Sequence, residues 1–313
     1  MKALLNVEIV DLRAVTVADL ADLWQHEAHF WRHQLLWDVS GTFAALRRIL
    51  GRGGLPGKAV RVDGQMVGYA CYGIAGHLGV ISHLVVSPDW SNTHVGEILL
   101  KAIIDELRRM GVTRIESRVV SNDAGRLVPA FESEGFRTYW RDCLRYDLRQ
   151  AQRPVHPPVL VVLEPWPETN PGEAAPILQQ AYAGGVEAEI DEQYRSVDGC
   201  HVVLDHILHQ GSCGILVAEA SAMARHRGRG IGFVLVTEVA PRQGHLTQII
   251  VHPQFQRRGV GRGLLDYSLQ GLAERRFDTL SLFVSRSNLG AHDLYERRGF
   301  QSVFAFPTFV WGS

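Results

Sequence analysis

Apolar residues recur along this chain at two spacings, one typical of buried strands and the other of amphipathic helices. The clearest example begins at Leu246, where Ile249–Val251 complete a short apolar run of strand length. Pro253 ends that run, because proline cannot donate to a sheet ladder. A helical repeat follows, in which one face carries Leu264, Leu265, Leu269 and Leu272. The segment therefore predicts a strand, a loop and a helix in succession.

The same two spacings predict alternating strands and helices over most of the chain. Predicted strands cover Val7–Leu12, Ala59–Val62, Gln65–Gly73, Gly79–Ser87, Thr113–Val120, Gly214–Ala218, Gly230–Val239, Thr279–Val284 and Phe304–Trp311. Predicted helices include one capped by Thr16 and others over Val95–Met110, Gly125–Ser133, Glu173–Ala183, Asp191–His209 and Gly290–Arg298. Asp63-Gly64 is typical of a hairpin turn, and Ala222–Arg229 is predicted as a basic loop.

The length of 313 residues is typical of two domains. Arg149–Pro158 contains three prolines and lacks apolar periodicity, which predicts a semi-rigid linker. We therefore expect one domain over residues 1–150, a linker over 151–158 and a second domain over 159–313.

The two predicted domains share a sequence repeat. Val86–Trp90 aligns without gaps on Val251–Phe255, 165 positions further on, and the same offset carries Leu99-Leu100 onto Leu264-Leu265. Phe131–Phe136 matches Tyr295–Phe300 at an offset of 164. A match that continues through a helix and a strand predicts a duplicated fold.

The two copies differ where a ligand would bind. Gln256–Gly259 of the second copy correspond to Ser91–His94 of the first, and Tyr295 corresponds to Phe131. The first copy thus keeps the apolar skeleton but loses a glycine, two arginines and a phenol. We expect the chemistry in the second copy, and a structural or substrate-shaping role for the first.

The glycine-rich turn of the second copy predicts an anion-binding site. Gly259 and Gly261 precede a helix, where they allow a ligand to approach the backbone closely. A helix N-terminus favours anions, and Arg257, Arg258 and Arg262 add positive charge. The physical interpretation is a cradle for a phosphate or pyrophosphate.

Two other phosphate-binding motifs do not fit the residues. Gly51–Lys58 resembles a Walker loop, but Arg52 and Ala59 stand where that loop needs a glycine and a serine or threonine. A dinucleotide-binding oxidoreductase would need glycine at position 264, which is Leu264. We therefore predict neither a Walker phosphate-binding loop nor a dinucleotide-binding site in this chain.

Composition limits the class of partner. The formal net charge is −1, which gives no support to nucleic acid or an anionic membrane as the main partner. No apolar run approaches the roughly 20 residues of a membrane helix, and Glu8 with Asp11 argues against a secretory signal. The four cysteines show no metal-binding spacing, so we expect reduced thiols in a cytoplasmic protein.

The first predicted helical segment carries a candidate metal site. His26, His29 and His33 share one helix face. No cysteine or carboxylate pattern completes a ligand set around them. We therefore predict no metal.

The second copy resembles the GCN5-related N-acetyltransferases (GNAT). Their cofactor signature, Gln/Arg-x-x-Gly-x-Gly/Ala after an apolar strand, is matched by Gln256, Gly259 and Gly261. Their later signature is matched by Asn288, Ala291 and Tyr295–Phe300. The first copy resembles the same fold with a decayed cofactor motif, so the resemblance covers nearly the whole chain.

The resemblance implies an α/β (α+β) fold class, with two tandem GNAT-like domains, each a mixed, mostly antiparallel sheet flanked by helices. It also implies acetyl-CoA as the acyl donor. The main chain of Ile249, Ile250 and Val251 would pair with the pantetheine arm and the thioester, and Asn288 would contact the pantetheine. Arg286 would reach the 3′-phosphate. Gln256 would begin the cofactor-binding turn. The pyrophosphate would be held by the N–H groups of Arg257, Arg258, Gly259, Val260 and Gly261, together with Arg262.

The implied reaction is direct attack by an amine on the thioester. Tyr295 would protonate the departing thiolate, and a base would remove a proton from the amine. Glu238 and His245 are the two candidates for that base. Asp191 and Glu192 lie where the family's substrate-contacting helix would be, and they are candidates to bind a cationic amine.

The favoured function is an N-acetyltransferase for a primary amine of a small molecule. The alternative is a non-catalytic acyl-CoA-binding regulatory module, which would bind acetyl-CoA without transferring its acetyl group. The acceptor's identity stays open at this point, and either a monomer or a homodimer is compatible with the duplication. We expect one acetyl-CoA site per chain.

Overall fold

The computed structural model describes residues 6–121, 124–149, 161–166, 171–211 and 213–312. The predicted linker over 151–158 lies outside these residues. The chain divides into two compact units, one formed by Met1–Trp140 with Phe306–Ser313 and the other by Arg141–Ala305. Within the described ranges, no helix combines the length and the apolar character that crossing a membrane requires.

The first unit is a mostly antiparallel sheet flanked by helices. Its elements in chain order are β1 (Val7–Asp11), α1 (Ala21–Phe30), α2 (Ser40–Leu50), β2 (Gly57–Val62), β3 (Gln65–Ala75), β4 (Leu78–Val86), α3 (Val95–Arg109), β5 (Arg114–Ser117) and α4 (Val128–Ser133). The sheet runs in the order β1-β2-β3-β4-β5. Only β4 and β5 pair in parallel among these strands.

The second unit repeats this plan. The strand β6 (Arg137–Asp147) enters it at Arg141. The elements that follow are β7 (Val162–Pro165), α5 (Ala174–Tyr182), α6 (Val186–Ile190), α7 (Val197–His209), β8 (Ile215–Leu216), β9 (Ala222–His226), β10 (Arg229–Ala240), β11 (Gln243–Val251), α8 (Val260–Glu274), β12 (Thr279–Ser285), α9 (Leu289–Arg298) and β13 (Gln301–Gly312). The path β7-β9-β10-β11-β12-β6 is antiparallel except for β11 with β12.

The duplication predicted from sequence is confirmed by the matching elements. The strands β4 and β11 have nine residues each, and the helices α3 and α8 have fifteen each. The parallel register is also the same, since Leu78 pairs with Arg114 and Gln243 with Thr279. In both units the apolar face of the helix packs on the sheet, as Leu99 and Leu264 illustrate.

The two compact units differ from the two contiguous domains predicted from the sequence, because the end of the last strand belongs to the first unit. Phe309–Gly312 pair with β5 and therefore belong to the first unit. Arg141–Asp147, placed by sequence in the first domain, pair with β12 of the second unit. Strand pairing is non-local, so a boundary read from a proline-rich stretch cannot reveal which strand completes which sheet.

Several local predictions need correction. Ala222–Arg229 is not a loop, because its residues as far as His226 form β9 between β7 and β10, with Ala222 and Ala224 in the core. Thr16 caps a turn with Asp19, and the helix itself begins only at Ala21. The predicted strand Thr113–Val120 is shorter than expected, since β5 ends at Ser117.

Candidate active site

A bulge in β11 opens the sheet of the second unit. Leu235 of β10 pairs with Gln248 and Val236 pairs with Leu246, so Thr247 is an extra residue in β11. Such bulges bend a strand. The parallel ladder between β11 and β12 ends at the pair Leu246–Leu282. The continuation of β11 toward Val251 therefore faces a gap in the sheet.

A cavity of about 890 Å³ lies in this gap. Its walls come from the end of β11, the turn before α8, the end of β12 and the start of α9. Nine residues predicted for the site from sequence line it: Ile249, Val251, Gln256, Arg257, Gly259, Gly261, Arg262, Asn288 and Tyr295. One continuous surface thus holds both sequence signatures.

The turn before α8 has the backbone geometry of an anion cradle. Arg257 and Gly259 both have left-handed backbone angles, with φ of 58° and 81°. Gly259 is the N-cap residue of α8, and the first intrahelical bond runs from the Gly263 N–H to its carbonyl, at 2.9 Å. The N–H groups before that bond have no acceptor within a helix. With the Arg257 and Arg262 side chains at the cavity wall, the turn can bind a pyrophosphate.

Gln256 and Asn288 support the backbone on two sides of the cavity. The Gln256 amide donates to the Val251 carbonyl at 3.1 Å and so ties the turn to the end of β11. The Asn288 amide oxygen accepts from the Ala291 N–H at 3.2 Å and caps α9. Since that oxygen is engaged, Asn288 can offer a ligand its amide N–H groups.

Four predicted cofactor contacts do not line the cavity with their side chains. Ile250 and Val260 are buried in the core, where only their main chains could serve a ligand. The Arg258 guanidinium lies 5.7 Å from the centre of the Phe255 ring. Arg286 donates to the Asp142 carboxylate at 2.9 Å. A pattern of charge along the chain does not reveal such competing partners.

Tyr295 of α9 forms part of the cavity wall. Its side chain is buried and packs against Phe300, with ring centres 5.5 Å apart. Burial, and secondarily the charge of Glu187, raise the pKa of Tyr295 above its usual range. The phenol is therefore protonated at neutral pH and is suited to donate its proton.

The two bases predicted from sequence lie away from the cavity walls. The Glu238 carboxylate accepts from the Arg242 N–H at 2.9 Å, in the turn between β10 and β11. His245 is buried, and its Nδ1 lies 3.0 Å from the Ser281 Oγ. Burial, and secondarily the charge of Arg141, lower the pKa of His245 to about 3. The side-chain geometry does not support either residue in the predicted role.

A polar cluster that sequence reasoning missed lines the same cavity. It comprises Arg141, Tyr182, Glu187, Tyr194 and Gln248. The predicted acidic contacts, Asp191 and Glu192, do not line the cavity. The Asp191 carboxylate instead accepts from the Gln193 N–H at 3.0 Å.

One signal in the sequence could have found Glu187. The segment VEAEI places two acidic residues among apolar ones just before the predicted helix. A carboxylate facing inward there needs partners, because a buried charge is costly unless it is paired. Those partners come from distant strands, so the pattern alone does not identify them.

The equivalent region of the first unit is smaller and differently filled. Its cavity has a volume of about 230 Å³. Arg126 occupies the turn that corresponds to the cradle, donating to Asn92 Oδ1 at 2.5 Å and to Ser91 Oγ at 3.2 Å. Phe131 takes the place of Tyr295 and stacks on Phe309.

Known proteins with similar sequences are acetyltransferases. A ribosomal protein alanine N-acetyltransferase of Salmonella typhimurium is 45% identical over 68 residues, which are 22% of this chain and 46% of that protein. A mycothiol acetyltransferase of Tsukamurella paurometabola is 33% identical over 88 residues, covering 28% of this chain and 30% of that protein. The matches thus span less than half of these curated relatives.

Solved structures match over almost the whole chain. A GCN5-related N-acetyltransferase from Sphaerobacter thermophilus gives a TM-score of 0.67 at 16% identity, covering 98% of this chain and 95% of that one. A tandem GNAT protein from the clavulanic acid biosynthesis pathway gives a TM-score of 0.59 at 14% identity, covering 97% and 98%. At such identities the likeness concerns the fold, and it includes the tandem arrangement.

The family model described as "Acetyltransferase (GNAT) family" matches this chain twice, over residues 18–136 and 181–300. Each match covers one copy of the repeat and contains the strand pair and helix described above. The fold class predicted from sequence is confirmed. The chain is a tandem member of the GNAT family of acetyltransferases.

Proposed function

We propose that this protein transfers an acetyl group from acetyl-CoA to a primary amine, and that its second unit carries the reaction. The observation that carries this proposal is the single cavity that joins the open end of β11, the turn before α8 and Tyr295. A direct transfer needs three features: a strand edge for the pantetheine arm and its thioester, an anion cradle for the pyrophosphate, and a proton donor for the leaving thiolate. The relatives are named for different acceptors, a ribosomal protein alanine and mycothiol. The choice of a small-molecule amine therefore rests on the sequence-based prediction, and no single acceptor is proposed.

The cradle residues have distinct parts in this proposal. The main chain of Ile249–Val251 pairs with the pantetheine arm, because the bulge turns it away from β12. The N–H groups from Arg257 to Gly261, together with the Arg262 side chain, bind the pyrophosphate. Asn288 donates its amide to the arm. Arg286 holds Asp142 through its Nε, and it stays the candidate for contact with the 3′-phosphate through its other guanidinium N–H groups.

Tyr295 supplies the proton that the leaving thiolate needs. The amine attacks the thioester carbon, the carbon–sulfur bond breaks, and the phenol donates to sulfur. Neither Glu238 nor His245 belongs to this proposal, given their positions. A cytoplasmic location and a monomeric or homodimeric state stay predictions from the sequence.

The test replaces Tyr295 with phenylalanine and measures thiol release from acetyl-CoA across a panel of primary amines. Tyr295→Phe should lower kcat about 100-fold or more, in the range of a lost acid catalyst, and leave the acetyl-CoA Kd unchanged. Tyr146→Phe is the matched control, because it removes a hydroxyl from the same core cluster, outside the cavity walls.

Two results would count against the proposal. A Tyr295→Phe protein with wild-type turnover would exclude the phenol as the acid. A wild-type protein that binds acetyl-CoA by calorimetry but acetylates no amine in the panel would favour the regulatory-module alternative.

A further inference from the structure

The acceptor end of the cavity contains a buried carboxylate, that of Glu187. This residue lies in α6 and is 8% exposed. It lines the cavity together with Tyr295. It also acts electrostatically on that phenol, since its charge contributes to raising the pKa of Tyr295. A carboxylate and a proton donor therefore share one end of the site.

Partners from two strands hold this carboxylate in place. The Ser285 hydroxyl at the end of β12 donates to Oε1 at 2.6 Å. The Arg141 Nη2 of β6 lies 3.3 Å from Oε2. Each oxygen is fixed by one partner, and a carboxylate offers about four lone-pair sites in all. Glu187 thus has capacity left to accept hydrogen bonds from a ligand.

Two tyrosines beside Glu187 add aromatic surface. The Tyr182 and Tyr194 rings meet edge-to-face, with centres 4.7 Å apart. Gln248 of β11 connects their hydroxyls, accepting from Tyr182 at 3.1 Å and donating to Tyr194 at 2.8 Å. Burial first, and among the further causes the charge of Glu187, raise the pKa of both phenols. Neutral phenol rings beside a carboxylate form an environment that favours a cation.

We propose that Glu187 binds the acceptor as an ammonium and takes its proton, and that the acceptor carries only that one positive charge. The inference rests on the proposed function and names the acceptor class of the same site. It differs from the sequence-based expectation in both the residue and the element, since the carboxylate comes from α6.

The limit of one charge follows from the charged groups that line the cavity around the carboxylate. Arg141 lies directly against Glu187, with its Nη2 3.3 Å from Oε2. The other acidic residue on the cavity wall, Asp293, already accepts from Arg297 at 2.7 Å. Like charges a few ångströms apart repel strongly where water is excluded. Glu187 offsets a first ammonium, whereas a second would add to the charge of Arg141 with no further carboxylate among the described residues of that wall left to offset it.

The proton balance is complete with the groups present. The ammonium loses one proton to the Glu187 carboxylate, which passes it to solvent, and the neutral amine then attacks the thioester carbon. As the carbon–nitrogen bond forms and the carbon–sulfur bond breaks, Tyr295 donates a proton to sulfur. The nitrogen releases its surplus proton, which restores the phenol. The products are an amide, free coenzyme A and one proton in solution.

The test compares Glu187→Gln with wild type on any monoamine that the panel identifies as an acceptor. At pH 7 the variant should lose about 100-fold to 1000-fold in kcat/KM, as expected for a missing base. The deficit should shrink as the pH approaches the amine's own pKa, because the amine then arrives neutral. Glu189→Gln is the matched control, an identical change on the exposed side of α6.

A second measurement uses the wild-type protein alone. The panel compares butylamine with diaminobutane. It also compares each accepted monoamine with an analogue that carries a second amino group. We expect at least a tenfold preference in kcat/KM for the monoamine. This comparison does not depend on whether the Glu187→Gln protein folds.

The outcomes separate the inference from the proposed function. If wild type acetylates no amine, the proposed function fails. If wild type is active and Glu187→Gln stays within threefold of it, or loses activity equally at every pH while binding acetyl-CoA normally, Glu187 is not the base. If diamines are used as well as monoamines, the single-charge rule is wrong.

Discussion

His245 is a buried imidazole whose protonation is coupled to the stability of the second unit. Burial and the nearby Arg141 charge lower its pKa from 6.5 to about 3. The folded protein therefore keeps this ring neutral, whereas the unfolded chain protonates it below about pH 6.5. The unfolded state then binds more protons, so stability should fall as the pH drops from about 6.5 toward 3.

The size of this effect can be measured by urea unfolding at pH 7 and pH 5. Between these pH values, the free energy of unfolding of wild type should fall by about 2 kcal/mol more than that of His245→Gln. The figure follows from a loss of about 1.4 kcal/mol per pH unit below pH 6.5. Glutamine can keep a hydrogen bond to Ser281 without titrating. His209→Gln, at a side chain that is 67% exposed, serves as the control. Equal acid sensitivity of wild type and His245→Gln would contradict the assignment.

At the scale of elements, the final strand completes the first unit from the far end of the chain. Phe309 is fully buried and stacks on Phe131 of α4, with ring centres 3.7 Å apart and an interplanar angle of 6°. Phe309–Gly312 also pair with β5. Because of both interactions, the first unit depends on residues that follow the two family signatures of the second unit in sequence.

Replacement of Phe309 by alanine should therefore destabilise the first unit strongly. A truncated aromatic in a packed core costs about 3–5 kcal/mol through lost burial and the cavity that remains. Gln301→Ala, at an exposed position of β13, should cost little. Denaturant unfolding of the two variants decides the matter, and a Phe309→Ala protein as stable as Gln301→Ala would show that the strand is not needed there.

The same strand indicates what the sequence can predict and what it cannot. The hairpin at Asp63-Gly64 and the helices α3 and α8 follow from patterns within a few consecutive turns, and the structure confirms them. The partner of β13 depends on residues almost 200 positions away, which no local pattern encodes.

The candidate site also contains residues that a local sequence pattern can predict and residues that it cannot. The cradle is local, because Gln256, Gly259 and Gly261 adjoin one helix, and all three line the cavity. Glu187 is not local. Its helix has only five residues, too few for a periodic pattern, and its partner Ser285 is 98 positions away. Side chains that meet only after folding were the ones missed.

At the scale of the whole molecule, two copies of one scaffold have different capacities for a ligand. Their parallel strand registers are identical, so the difference comes from side chains and not from backbone topology. In the second unit the turn has Gly259 with a left-handed backbone and a cavity of about 890 Å³. In the first unit Arg126 fills the equivalent turn, and about 230 Å³ remains.

This asymmetry predicts one acetyl-CoA per chain by calorimetry. Gly259→Glu should abolish binding, because it strains a backbone with φ of 81° by about 1–2 kcal/mol and adds negative charge where the pyrophosphate would lie. His94→Glu makes the equivalent change in the first unit and should leave both affinity and stoichiometry unaltered. Two equivalents bound by wild type, or a stoichiometry halved by His94→Glu, would mean that the first unit also binds the donor. The loss of the first glycine would then be compatible with binding, and Arg126 would have to leave Asn92 when the ligand enters.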